Sequence, residues 1–195
     1  MRKVFGVGIN DAGYVVQPTV NGRRSCCPYY RVWHSMLRRC YSPKGIKRNP
    51  TYRDCTVTPE WHSFSAFRAW MLTQDHEGKE LDKDILFPGN QVYSSLTCIF
   101  VSHDINSFLV DRGAARGDWP IGVSWDSESK LFYSQCNNPF TGKRGYLGRF
   151  DSPKAAHHAW ISAKHRYALL YAELETDPRI ADALRIRYLP SKEAN

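Results

Sequence analysis

The run Tyr146-Leu147-Gly148-Arg149-Phe150-Asp151-Ser152-Pro153-Lys154-Ala155-Ala156 decides how the C-terminal part of this chain folds. Residues 143–150 have strand character. Ser152-Pro153 then starts a helix, because serine offers a capping oxygen and proline fits the first helical turn. Beyond it Ala156, Ala159, Trp160, Ala163, Tyr167 and Leu170 recur at helical spacing and mark an apolar face. Working back, 130–137 and 121–127 read as two more short strands, with turns at Asp126–Ser129 and Pro139–Gly142. Three strands and a covering helix make a small α+β unit. Working forward, Thr176-Asp177-Pro178 opens a last helix that runs to about Tyr188.

Strand alternation sends Phe132, Ser134 and Cys136 to one face and Leu131, Tyr133, Gln135 and Asn137 to the other. The Phe132 face is expected to pack on the helix. Tyr133, Gln135 and Asn137 then face outward, where amide side chains can pair with base edges. Ser124, Lys143 and Arg144 are expected on the same side.

Residues 119–173 resemble an AP2-type DNA-binding domain, known from plant transcription factors and phage mobile-element proteins. The residues that carry the resemblance are Ile121-Gly122-Val123 with Trp125, then Lys130, Phe132 and Ser134. Tyr146-Leu147-Gly148, Phe150-Asp151 and the Ala-rich helix complete it. It implies a sheet lying in the major groove with the helix behind, and it adds Trp125 to the candidate DNA contacts. Plant members carry several arginines on the sheet face, whereas Ser124 and Asn137 stand at comparable places here.

The 195 residues include 27 Lys+Arg against 19 Asp+Glu, a net charge of +8, with 42% hydrophobic and 13% aromatic residues. That is enough apolar chain to bury a core, which excludes a disordered polypeptide. No run approaches the ~18 uncharged apolar residues of a membrane span. The first residues carry charge and then run into Gly, Asn and Asp, unlike a signal peptide, so an intracellular location is expected. Six cysteines (Cys26, Cys27, Cys40, Cys55, Cys98, Cys136) contain no CxxC pair. Zinc is not expected, since isolated cysteines mostly serve as small core hydrophobes, although Cys40, Cys55, His34 and His62 could converge.

The charge is uneven. Residues 1–80 hold 13 Lys/Arg and 6 Asp/Glu (net +7), residues 81–118 hold 3 and 5 (net −2), and residues 119–151 hold 4 and 3 (net +1). A basic first segment with Arg23, Arg24, Arg31, Arg38, Arg39, Lys44, Lys47 and Arg48 among tyrosines and tryptophans suits a polyanion. The acidic patch after it suits a cation.

Along that first part, residues 4–20 read as two strands around Asn10-Asp11-Ala12-Gly13, an N-terminal hairpin. Tyr30, Trp33, Met36, Leu37 and Cys40 predict a helix over 29–41. Residues 42–54 read as a basic loop. Thr58-Pro59-Glu60 predicts the start of a helix whose buried stripe is Trp61, Phe64, Phe67 and Met71. Leu81 to Leu86 alternates like a strand, 97–101 forms a second, and 102–109 opens a short helix. Residues 111–118 lack an apolar period and read as a linker between domains at 1–110 and 119–195.

Leu81-Asp82-Lys83-Asp84-Ile85, Gly89-Asn90, Tyr93-Ser94, Cys98, Phe100-Val101 and Ile105-Asn106 resemble the core of HNH-like (His-Me finger) homing endonucleases of phages. Trp33, Met36-Leu37 and Arg39-Cys40-Tyr41 resemble the region that precedes this core. The resemblance implies a ββα-metal fold around one divalent ion, Mg²⁺ or Mn²⁺. Asp82, Asp84 and Asn106 would be its ligands. The usual Asp-His pair reads Asp82-Lys83 here, so His103 would supply the missing base and Lys83 would contact a phosphate. The expected architecture is therefore α+β: a ββα-metal-like core with an N-terminal hairpin and helices, then an AP2-like sheet and helix.

The expected function is metal-dependent cleavage of double-stranded DNA by an HNH-type homing endonuclease. The alternatives are a catalytically inactive DNA-binding regulator or shield derived from such a nuclease, or an inhibitor of a host factor. A monomer in the cytoplasm of a bacterial host is expected, with no membrane partner. Phosphate-loop, nucleophile-elbow and HExxH motifs are absent.

Overall fold

The computed structural model describes residues 3–110 and 118–189. All but Asp118 of the expected linker falls outside them. The chain divides into two compact units, Met1–His103 and Asp104–Asn195, each of mixed α+β structure. Among the described residues no helix is long and apolar enough to cross a membrane.

The first unit begins with strands β1 (Thr19–Val20) and β2 (Arg23–Arg24), paired antiparallel. The N-terminal hairpin thus sits at 19–24 rather than across 4–20. Its turn residues Asn21 and Gly22 both have positive φ, the backbone that an Asn-Gly hairpin turn requires. Asn10-Asp11 does a different job. The Asp11 carboxylate accepts from the Ser65 backbone N–H (2.7 Å) and from the Ser63 and Ser65 hydroxyls (2.6 and 2.7 Å). Ile9 bridges to Ser63. Those bonds tie residues 9–11 to a helix start, which removes them from a hairpin.

Helix α1 (Pro28–Tyr41) buries Tyr30, Trp33, Met36, Leu37 and Cys40, the expected stripe. The expected loop after it contains α2 (Pro43–Arg48), which Ser42 caps through a bond from the Gly45 N–H (3.3 Å). Pro59 opens only a 3₁₀ turn (Pro59–His62), and α3 (Phe64–Met71) starts at Ser63 instead. Ser63 has a capping bond to the Ala66 N–H (3.1 Å), whereas Thr58 makes none. The core gathers α1 and α3: Trp33 is fully buried and donates its indole N–H to the Trp61 carbonyl (2.7 Å). Strand β3 (Thr56–Val57) pairs in parallel with β5 (Val92–Tyr93). Strand β4 (Glu80–Asp82) pairs antiparallel with β6 (Ile99–Val101). Helix α4 (His103–Leu109) follows β6 in the chain.

In the second unit β7 (Val123–Asp126), β8 (Leu131–Asn137) and β9 (Arg144–Phe150) form an antiparallel sheet in that order. Phe132, Ser134 and Cys136 are buried toward α5 (Pro153–Leu174), where Ala156, Trp160 and Ala163 meet them. Ser152 caps α5 (Ala155 N–H, 3.2 Å), and Asp177 caps α6 (Pro178–Arg187). The apolar face of α5 does not run straight. Leu170 is exposed, while Lys164, Ala168, Tyr171 and Ala172 are buried. In the second half of the helix Tyr171 packs on Phe108 (5.2 Å) and Phe140 (4.7 Å). Lys164 sets its ammonium over the Phe108 and Tyr188 rings and donates to the Phe108 carbonyl.

Candidate functional site

Strand β4 ends at Asp82, not at Leu86. The Asp82 Oδ1 accepts the N–H groups of Asp84 (2.8 Å) and Ile85 (2.7 Å), a turn that diverts them from a ladder. The connection from 83 to 91, ahead of β5, is then latched. Asn90 donates its side-chain amide to the Lys83 carbonyl (2.6 Å) and to the Val92 carbonyl (2.8 Å). Lys83 returns a bond from its Nζ to the Asn90 carbonyl (2.7 Å). Replacing Asn90 by alanine removes the donor to the part-buried Lys83 carbonyl, so Asn90→Ala is expected to lower the unfolding free energy by about 1 kcal/mol in a urea titration.

Lys83 is buried, pairs with the Asp84 Oδ2 (3.0 Å) and sits near the Tyr52 ring. Burial alone would lower its pKa, but the Asp84 carboxylate overrides this and the net shift is upward. A lysine held charged and turned inward is poorly placed as a base or as a phosphate contact. This position therefore serves the loop.

The two carboxylates lie close together. Burial pushes the Asp82 pKa up, and the negative charge of Asp84 adds to the rise. The backbone N–H groups of Asp84 and Ile85 engage Asp82 Oδ1, Lys83 engages Asp84 Oδ2, and the two carboxyl side chains also hydrogen-bond each other; carboxylate oxygens are the hard donors that Mg²⁺ takes. Glu80 shares a face of β4 with Asp82, two residues apart. Its Oε1 meets the His103 Nδ1 at 2.8 Å. Donation of Nδ1–H to Glu80 makes Nε2 the accepting nitrogen of the neutral ring. Glu80 was not singled out from sequence; its i, i+2 relation to Asp82 was the available signal. Asn106 lies on α4 within the second unit.

Among the described residues no group of three or more His, Cys, Asp and Glu side chains is placed to hold one metal ion. The six cysteines are free thiols. Burial pushes Cys40 and Cys98 up to about 12, so both stay neutral.

On the sheet, strand register assigns the outward rows. Ser124, Tyr133 and Arg149 stand side by side, as do Gln135 with Tyr146 and Asn137 with Arg144. Trp125 pairs with Phe132 on the opposite, helix-side face, their rings 4.7 Å apart. Arg149 is held by Asp126 (3.2 Å), and Arg144 donates to Asn137 (3.4 Å). The Asp126 pKa falls to about 2, chiefly through the bond from the Ser129 hydroxyl. Lys143 is exposed in the turn before β9. Arg149 and the outward Tyr146 are the sheet residues that sequence reasoning missed. A bulge at Ser134/Gln135 breaks the pairing register with β9, and simple alternation from Phe150 would turn Tyr146 inward.

The basic residues of the first unit fall on several elements. Arg23 and Arg24 on β2, Arg31 and Arg38 on α1, and Lys44, Lys47 and Arg48 on α2 are exposed. Arg39 is half-buried instead and its guanidinium lies near the Tyr52 ring (5.7 Å). Burial alone would lower its pKa, yet the hydroxyls of Tyr93 and Tyr52 hold it raised. Comparison with protein-family models, curated proteins and solved structures finds no match to this chain.

Proposed function

We propose that this protein binds duplex DNA and hydrolyses its phosphodiester backbone with a divalent metal, as an endonuclease of the HNH homing type. The reading rests on one observation: β4 offers a carboxylate-held histidine, Glu80–His103, on the face that ends in the Asp82–Asp84 pair. Mg²⁺ or Mn²⁺, when bound at Asp82 and Asp84, supplies polarisation of the scissile phosphate and stabilises the leaving oxygen. His103 Nε2 takes the proton of the attacking water, and Glu80 stabilises the imidazolium that results. Lys83 balances part of the charge on Asp84 and fixes the loop. The outward sheet rows, with Tyr133, Gln135, Asn137, Arg144 and Arg149, supply donors and acceptors for base edges and phosphates.

A supercoiled plasmid incubated with the full chain is expected to be nicked in Mg²⁺ or Mn²⁺ and to stay intact in EDTA. A second reading is DNA binding without cleavage. The inward, ion-paired Lys83 at the place of the usual histidine favours it. It prevails if the chain binds a plasmid that it leaves supercoiled in either metal.

A further inference from the structure

Helix α1 has two faces of different chemistry. One is the core stripe of Tyr30, Trp33, Met36, Leu37 and Cys40. The other places Arg31, His34, Ser35 and Arg38 at i, i+3, i+4 and i+7, a single stripe along the helix. This second stripe forms a wall of a cleft of about 220 Å³, which Gln17, Cys26 and Tyr30 complete. The cleft is built. The His34 ring packs against Phe5 (4.8 Å) and Tyr30 (5.7 Å). Gln17 is fixed by a bond from Arg24 to its Oε1 (2.8 Å), which brings a third guanidinium to the rim. No carboxylate lines the cleft, and among the described residues neither Arg31 nor Arg38 forms an ion pair. Burial, reinforced by Arg38, lowers the His34 pKa, so near neutral pH the arginines carry the charge.

We propose that this cleft is a track for the phosphates of a nucleic-acid backbone, a second DNA contact separate from the sheet. It rests on the DNA-binding reading. Arg31 and Arg38 are seven residues apart, about 10 Å along the helix axis. Successive phosphates of one strand advance about 3.4 Å along a duplex. Guanidiniums that far apart along the helix reach separate phosphates of a strand, a span that suits a polyanion better than one free phosphate. Arg31 and Arg38 meet the charge, and Ser35 and Gln17 offer neutral donors to phosphate oxygens.

The test is a salt titration of duplex binding by fluorescence anisotropy with the full chain. Arg31→Gln/Arg38→Gln keeps good helix formers at exposed positions. It is expected to weaken binding alike on unrelated sequences and to lower the slope of log K against log salt by about two. Arg149→Gln on the sheet should change affinity unequally between sequences. Ser35→Glu, which puts a carboxylate in the cleft, should mimic the double variant; circular dichroism checks that each is folded. An unchanged slope in folded variants overturns the track and leaves DNA binding standing. No binding by the wild type even at low salt overturns the DNA reading, and this proposal with it. If inorganic pyrophosphate at constant ionic strength saturates the cleft while the double variant keeps its duplex slope, the site is one for small anions and the proposal fails.

Discussion

Gly122→Ala is expected to destabilise the second unit by about 2–5 kcal/mol, and the DNA contacts proposed for its sheet should weaken with it. Gly122 has φ +80°, where an L side chain costs about 1–2 kcal/mol. A Cβ there would lie 2.0 Å from Trp160 Cδ1 and 2.4 Å from Cγ. The indole cannot swing away cheaply. It is buried in the contact between sheet and α5, and it stacks on His157 at 5.5 Å. His157 Nδ1 in turn bonds the Ile121 carbonyl (2.9 Å), one residue from the glycine. Forcing a methyl into such a contact adds about 1–3 kcal/mol of overpacking. Thermal unfolding followed by circular dichroism should show an early transition in the variant. A melting curve that matches wild type within a degree would sink this account of the glycine.

Asp82→Asn is expected to reduce metal-dependent nicking at least about a hundredfold without loss of stability. Substitutions outside the ligand shell already cost ~10–100-fold, so the loss of a charged ligand should cost at least as much. The stability side follows from the direction of the pKa shift. Burial, and then the Asp84 charge, hold the folded carboxyl above its ordinary 3.8. The folded protein therefore binds this proton more tightly than the unfolded chain. Its stabilising effect is fully present below the unfolded pKa and is lost as pH rises through the folded one. At pH 7 the ionised group is thus a cost, which asparagine removes while keeping an oxygen for the Asp84 and Ile85 N–H groups. Without metal the variant should unfold at or above the wild-type temperature at pH 7, and the difference should narrow in acid. Undiminished nicking would remove Asp82 from the metal site. A marked loss of stability would mean that its charge holds the loop.

Much of the second unit was legible from residue order. Alternation in 131–137 separates Phe132, Ser134 and Cys136 from the outward residues as the strand does. Ser152-Pro153 and Asp177-Pro178 start their helices where capping chemistry requires. The candidate site was less legible. A strand running from Leu81 to Leu86 would put Asp82 and Asp84 on one face, but the Asp82 side chain ends the strand and brings Asp84 close through a turn. Lys83 reads as a phosphate contact, Arg39 as part of the basic segment and Asp11 as a hairpin-turn residue, and each is committed to partners far along the chain or in a closed loop.

The sequence by itself determined the period-driven elements: α1, the three-stranded sheet, α5 and α6 with their caps, and the concentration of positive charge in the first 80 residues. These depend on neighbours within a few positions, where local sterics and hydrogen bonding decide. Only the tertiary structure decided which charges stay on the surface, which face Tyr146, Arg149 and Trp125 take, and that Glu80 meets His103. Those outcomes turn on a bulge, a latch and contacts across tens of residues. A charged side chain settles by the partners it finds in three dimensions, because burial without a partner costs more than local preference can offset.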